Sequence, residues 1–309
     1  MNIMALISAL PGAAAQGLIW GIMAIGVYIT FRTLDIADLT VDGTMCTGGA
    51  VCIMMMMSGH NVWVAMLAAF IAGMLAGLAT GFFHTFMGIP AILSGILTQL
   101  ALWSVNLKIM GKSNQALNVD KYNLLVSLRY IKGVPIFKNT IVIVAIMIVV
   151  LIAILYWFFG TELGCSIRAT GCNSNMARAQ GINTNFNKVL GLMISNGLVA
   201  LSSALLAQYQ GFADINMGRG AIVIGLAAVI IGEAIFGKIF KNFGLKLLAA
   251  VLGSILYYFV VQTVIWLGID TDLLKLLSAV VVGIFLAVPY WKAKYFTKPS
   301  AKKGGKAHA

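Results

Sequence analysis

Long, mostly apolar runs recur along this chain, and no extended polar stretch between them could form a soluble domain. A helix rises about 1.5 Å per residue and the hydrocarbon core of a bilayer is about 30 Å thick, so each crossing needs roughly 20 apolar residues. Only 10% of the residues are charged, whereas a soluble domain averages about 25%. The sequence therefore predicts an integral membrane protein of transmembrane helices. An outer-membrane barrel would instead show short alternating segments.

The hydropathy pattern predicts an all-α, polytopic fold with about nine transmembrane helices in a single domain that spans residues 1–309. The second and seventh spans are short and contain glycine. The predicted spans are 12–31, 43–58, 62–86, 90–110, 140–159, 187–210, 220–237, 245–267 and 273–291.

Basic residues indicate how the chain lies in the membrane. The net charge is +12, but the basic side chains lie mostly in loops and in the tail 292–309, so orientation explains them better than nucleic-acid binding. The lysine-rich tail predicts a cytoplasmic C-terminus, which places the N-terminus outside and the loop 160–186 in the cytoplasm. The basic loop 111–139 then lies outside, although basic residues are usually concentrated in cytoplasmic loops. Either this loop docks a partner or one span is miscounted.

Two segments of the chain resemble each other. The run from Ala37 to Val41 is echoed by the run from Ala213 to Met217, and a glycine follows each. Five predicted spans separate the two runs, so the copies point in opposite directions across the membrane. This arrangement predicts an inverted-topology repeat with halves at roughly 12–110 and 187–291, as in transporters that open alternately to either side.

Acidic residues accompany these segments. Three aspartates at 35, 38 and 42 will not face lipid, because a carboxylate at the centre of a membrane helix costs about 2.5–3.5 kcal/mol. They fit the N-terminal end of a short helix, either as simple caps or as part of a break that lines a solute path. Glu233 must likewise face a helix, a cavity or the interface. The residues assigned to a solute path or hinge are Asp35, Asp38, Asp42, Gly43, Asp214, Gly218 and Glu233.

The polar loop from Gly160 to Asn183 is the most specific segment. Its alanines favour a short helix, with Asn173 as the N-cap and with Gly171 and Gly181 on either side. Such a helix, parallel to the membrane, could dock a cytoplasmic protein. The residues alone also allow an ordinary connecting loop with positive charges on the inside.

This loop resembles the coupling segment in the permease subunits of ABC importers of the branched-chain amino acid and ribose type. Met176 stands where that family often has alanine. The segment 34–43, Leu-Asp-Ile-Ala-Asp-Leu-Thr-Val-Asp-Gly, resembles a subgroup linked to aromatic amino acids, and the stretch from Gln208 to Glu233 fits the family as well. The residues of the loop assigned to ATPase coupling are Gly164, Arg168, Ala169, Gly171, Asn173, Ala177, Arg178 and Gly181.

The resemblance implies that the transporter consists of separate membrane, ATP-binding and solute-binding subunits. This chain would form the membrane path as a homodimer in the cell membrane, a separate cytoplasmic ATP-binding subunit would dock on the coupling segment, and an extracytoplasmic solute-binding protein would deliver the solute. The chain has no G-x-x-x-x-G-K-[ST] sequence, so ATP and magnesium would be bound by the partner ATPase and this chain would need no cofactor. Amino acids or similar small polar solutes are the implied cargo.

Other functions compete with this interpretation. A secondary transporter would share the inverted repeat and would use the aspartates at 35, 38 and 42 as an ion site. A membrane enzyme is disfavoured, because His60, His84 and His308 lie far apart and form no metal motif. The four cysteines show no metal-site spacing either. Dependence of uptake on an ATPase or on an ion gradient would separate the two transporters.

Overall fold

The computed structural model describes residues 3–119, 121–131 and 139–267, together with isolated positions between 273 and 287. Helices dominate this part of the chain. The helices are α1 Ile3–Tyr28, α2 Thr40–Met57, α3 Val62–Thr85, α4 Ala91–Met110, α5 Thr140–Gly160, α6 Glu162–Cys172, α7 Ser174–Ala179, α8 Thr184–Gln210, α9 Ala221–Phe236 and α10 Phe243–Trp266. A π-helical turn, Ile29–Thr33, continues α1, and a 3-10 turn covers Leu128–Ile131.

The helices agree with the predicted spans over most of the chain. Within the described residues, seven helices are long and apolar enough to cross a membrane: α1, with its π-helical turn, and α2, α3, α4, α5, α8 and α10. The predicted span 220–237 corresponds to α9, which is apolar but has only 16 residues. The predicted span 273–291 lies mostly outside the described residues, and the basic tail 292–309 lies wholly outside them. The count of nine therefore stays a prediction.

The sequence predicted an all-α fold, but the structure is mostly helical and also contains two short strands. Strand β1, Asn114–Ala116, pairs antiparallel with β2, Phe212–Asp214. Gly111 and Gly211 end α4 and α8 with φ of 69° and 79°, and both turn the chain out of its helix. The extended residues that follow them form backbone hydrogen bonds with each other, so their N–H and C=O groups are paired. The pairing places the loop after α4 and the loop after α8 at the same end of the bundle.

The centre of the bundle is formed by α1, α2 and α8, whose residues are mostly buried, whereas α3, α4 and α5 expose much of their apolar surface. Small residues allow the central helices to approach closely. Gly73 and Gly77 on α3 lie against the backbone carbonyls of Asn196 and Leu192 on α8, where a Cβ would overlap them. This glycine pair therefore packs two helices within the subunit.

Candidate functional site

A break of six residues, 34–39, separates α2 from the π-helical turn that continues α1. Asp35 is exposed and adopts φ 55°, the left-handed region that non-glycine residues rarely occupy. Asp38 is 1% exposed, and its Oδ1 accepts a hydrogen bond of 2.9 Å from the backbone N–H of Thr40, the first residue of α2. Asp38 therefore pairs a free N–H at the start of α2 from the residue before the N-cap Leu39, close to the role expected for an aspartate at the start of a short helix.

The second carboxylate oxygen of Asp38 ties this break to α8. Asn196 donates from Nδ2 to Asp38 Oδ2 at 2.6 Å, and the Oδ1 of the same amide accepts from the Thr44 hydroxyl at 2.7 Å. Thr40 shares a hydrogen bond of 2.6 Å with Thr80 on α3, and Thr80 donates to Thr98 on α4. Buried polar groups need such partners, because they are costly when unpaired. The break is thus held by four helices.

A second break, residues 211–220, separates α8 from α9. Asp214 Oδ1 accepts a hydrogen bond of 2.7 Å from the backbone N–H of Asn216, two residues further along. Asp38 and Thr40 form the same type of turn at the corresponding positions of the first break. The two similar sequence segments therefore share a local backbone device, an Asx turn.

The two breaks meet in the interior. A Cβ on Gly218 would overlap the carbonyl oxygen of Asp42, so only glycine permits this approach. The Asp42 side chain crosses to the start of α9, where its oxygens accept from the backbone N–H groups of Gly220 at 3.0 Å and Ile222 at 2.9 Å. A carboxylate is favourable at this position, because the N-terminal N–H groups lack helical partners and the helix dipole is positive there.

Both α2 and α9 begin inside the bundle. Gly43, close to the start of α2, lies against Gln99 and Leu102 in the middle of α4. Because Asp42 holds the N-terminus of α9, that helix also starts at this depth. Discontinuous helices with their N-termini in the interior are typical of solute and ion sites in transporters.

Glu233 lies at the other end of α9. Its Oε2 accepts from the Nε of Arg32 at 2.9 Å and also from the Nη2 of the same guanidinium. The side chains are 26% and 50% exposed, so water screens the pair and its contribution to stability is small. The pair joins the end of α1 to the end of α9, some distance from the interior aspartates.

The polar loop after α5 forms two short helices rather than one. Asn173 separates α6 from α7 and caps α7, since its Oδ1 accepts from the backbone N–H of Met176 at 3.0 Å. The prediction of Asn173 as an N-cap is confirmed. Gly181, with φ 81°, follows α7 as predicted. Gly171 precedes α7 as predicted, but it lies within the additional helix α6 rather than in a connecting loop.

Glycines determine how α6 packs. A Cβ on Gly171 would overlap the backbone of Thr33, so α6 lies directly against the end of α1 where the first break begins. Gly164 is equally close to the backbone of Phe159, at the sharp turn between α5 and α6. Ala177 is 4% exposed, and Ala169 is partly buried.

The two arginines of the loop make local contacts. Arg168 donates from Nη2 to the Cys165 sulfur at 3.2 Å, and its guanidinium lies 5.9 Å from the ring centre of Phe243 on α10. Arg178 donates to the Thr184 hydroxyl at the start of α8 at 3.3 Å. Both side chains therefore fasten the loop to the neighbouring spans.

The sequence analysis correctly assigned the aspartates to helix breaks, but it did not identify the residues that contact them. It did not single out Asn196, although an amide within the apolar span 187–210 is a detectable signal. It also missed Asn106 and Arg219, which line a cavity beside Asp42. The proximity of Asp42 and Gly218, distant in sequence, could not be read from either segment alone.

Comparison with known proteins identifies the family. The family model described as "Branched-chain amino acid transport system / permease component" matches residues 10–288. The chain therefore belongs to this family of ABC transporter permeases, and the resemblance predicted from the coupling loop and the segment 34–43 is confirmed. It is a multi-pass membrane protein.

Individual relatives carry different names. The chain is 40% identical to the "Tyrosine transport system permease protein" of Clostridioides difficile, over 91% of each chain. It is 25% identical to the "Fructose import permease protein FruF" of Bifidobacterium longum, over 84% of this chain and 71% of that one. Among solved structures, a chain of "PsaBC from Streptococcus pneumoniae in complex with Fab" aligns with a TM-score of 0.43 and 17% identity, over 84% of this chain and 95% of that one, which is too weak to carry an argument.

Proposed function

We propose that this chain is the transmembrane subunit of an ATP-driven importer, in which it forms the solute path and couples to a separate cytoplasmic ATPase. The observation that carries this proposal is the contact of α6 with the end of α1. Gly171 on α6 lies against Thr33, and the first break follows directly. A movement imposed on α6 and α7 reaches the break through this backbone contact, which cannot compress because it is already close-packed.

The surface of α7 provides the docking point for the ATPase. Met176 is 64% exposed, and it projects from a short helix that is fixed to the bundle by the buried Ala177 and by Arg178. An exposed methionine on a rigid short helix suits a protein interface, because its flexible thioether side chain adapts to a partner surface. The residues assigned to coupling from the sequence therefore fall into two groups. The glycines allow the helices to pack closely, and the other side chains contact the bundle and hold the helices there.

The remaining assignments follow from the family. The partners are a cytoplasmic ATP-binding subunit that holds ATP and magnesium, an extracytoplasmic solute-binding protein, a second copy of the chain and the lipid bilayer; nucleic acid is not a partner. The chain itself performs no catalysis and lies in the plasma or inner membrane with a cytoplasmic C-terminus. The end of the bundle with the β1–β2 pair faces the solute-binding protein. The halves 12–110 and 187–291 act as an inverted repeat within one permease domain, with the coupling loop 160–186 between them.

The solute is an amino acid or a similar small polar molecule. The relative named as a tyrosine permease supports this class, since it is similar over nearly the whole chain. An ion-coupled secondary transporter is the alternative. It would need a carboxylate that an ion can reach, whereas Asp38 is buried and both of its oxygens accept hydrogen bonds from the protein.

Purification in mild detergent from the native membrane tests the coupling. We expect an ATPase subunit to co-purify with the chain. The Met176→Glu variant is expected to retain at least about tenfold less ATPase, because a charge would be buried in the interface. Met87→Glu is the matched control, since Met87 is 56% exposed in the α3–α4 connection and lies outside the coupling loop. The proposal fails if the chain purifies alone and solute uptake collapses with the ion gradient rather than with ATP.

A further inference from the structure

A cavity of about 130 Å³ lies between α2, α4 and the second break. Its lining combines two opposite charges, two amides and an aromatic ring, contributed by Asp42, Arg219, Asn106, Gln99 and Trp103. It opens where α2 and α9 begin, in the interior of the bundle. A polar cavity at this depth in a membrane protein is a candidate binding site by default.

Asn106 gives the first sign of a missing ligand. The residue is 1% exposed, and its Nδ2 donates to the carbonyl oxygen of Gly43 at 3.4 Å. Its Oδ1 is buried and has no hydrogen-bond partner of good geometry among the described residues, and the polar side chain beside this amide is the thiol of Cys46, a weak donor. Buried polar atoms in native proteins are nearly always paired, so this acceptor calls for a donor from a group that enters the cavity.

Arg219 gives the second sign. It immediately precedes Gly220, whose backbone N–H donates to Asp42, and it lines the cavity together with Asp42. The side chain is exposed, and within the described part of the chain it forms no ion pair or side-chain hydrogen bond. A guanidinium at this depth does not face lipid without a large cost. It therefore faces a water-filled path or an anionic group of a solute.

The rim of the cavity is apolar. Trp103 is 47% exposed and Leu100 is 65% exposed, and both lie on α4, which buries little of its surface. Flat aromatic surface beside a charged pocket favours a molecule with one polar end and one apolar end.

We propose that this cavity binds the zwitterionic end of an α-amino acid, with an aromatic or large apolar side chain lying on Trp103. The carboxylate pairs with Arg219, whose planar guanidinium suits a bidentate contact. The ammonium donates to Asp42 and to the free Oδ1 of Asn106, because each carboxylate oxygen of Asp42 retains a second lone pair beside its contact with α9. A zwitterion satisfies both charges of the cavity at once, whereas a sugar satisfies neither. This inference rests on the proposed function and names the solute class of its path.

Thermal unfolding of the purified full chain in detergent tests the site without any partner. The probes are L-phenylalanine, 2-phenylethylamine, which lacks the carboxylate, 3-phenylpropionate, which lacks the amine, and D-fructose. We expect only L-phenylalanine to raise the unfolding midpoint, at about 50 mM, where a site with a Kd of about 1 mM is nearly full. Arg219→Gln and Asn106→Leu are expected to abolish the shift.

Two matched variants separate the site from general effects. Arg129→Gln removes an arginine from the loop after α4, and Trp63→Leu removes an exposed tryptophan at the start of α3; both are expected to keep the full shift. Trp103→Leu is expected to weaken binding several-fold and so to reduce the shift without abolishing it. The proposal is overturned if L-phenylalanine produces no shift, if fructose matches it, or if Arg219→Gln responds like the wild type. Co-purification of the ATPase is measured separately, so failure of the site leaves the coupling result intact.

Discussion

We expect the Gly218→Val substitution to leave almost no folded protein in the membrane. A Cβ at this position would overlap the Asp42 carbonyl oxygen and would lie 3.0 Å from the Cβ of Met45. The second break would have to move away from α2, and the two hydrogen bonds from the start of α9 to the Asp42 carboxylate would be lost with it. Overpacking and the loss of these bonds together cost on the order of 5 kcal/mol, close to the whole stability of many proteins.

Size-exclusion chromatography of a fluorescent fusion measures this effect directly. Gly160→Val is the matched control, because a Cβ on Gly160 would meet nothing within 4 Å. We expect the control to give a normal monodisperse peak and Gly218→Val to lose at least about four fifths of it, given the size of the penalty. A normal peak for Gly218→Val would contradict the close contact between the two breaks.

The second large effect is expected at Asp38. The Asp38→Asn substitution places an amide N–H₂ opposite either the Asn196 amide or the Thr40 N–H, both of which donate. One buried donor is then left unpaired, at a cost of about 1–3 kcal/mol. We expect the thermal unfolding midpoint in detergent to fall by about 2–10 °C, using the shift per kcal/mol of a domain of this size.

The swapped pair provides the decisive comparison. In the double variant Asp38→Asn with Asn196→Asp, an amide again faces a carboxylate, and Thr44 keeps its acceptor. We expect the double variant to recover much of the lost stability. Asp35→Asn, the same change at an exposed position that tolerates asparagine, is expected to leave the midpoint unchanged. A double variant less stable than the sum of its single changes would rule out a direct pair.

The sequence predicted the elements that depend on local pattern. Apolar runs of about 20 residues determine the spans. Asn173 and Asp38 mark helix starts, because their side-chain oxygens can accept hydrogen bonds from the free backbone N–H groups there. The echo between the runs at 37–41 and 213–217 also pointed to a real similarity, since both aspartates form the same turn. These features need only a few neighbouring residues.

Features that depend on distant contacts were missed. The β1–β2 pair joins residues a hundred positions apart, so no local alternation predicted it. The packing of α6 depends on Gly171 meeting Thr33 at the end of α1, and the role of Asp42 depends on the start of α9. The cavity beside Asn106 exists only when α2, α4 and the second break come together.

The hydrogen bond between Asp38 and Asn196 has a consequence for biosynthesis. The two residues are 158 positions apart, and a ribosome adding about 5–20 residues per second needs roughly 8–30 s to make the second after the first. During that interval the Asp38 carboxylate and the Thr44 hydroxyl lack Asn196, their partner on α8. We therefore expect a chain truncated before α8 to be unstable in the membrane, because the Asp38 carboxylate would lack the Asn196 amide.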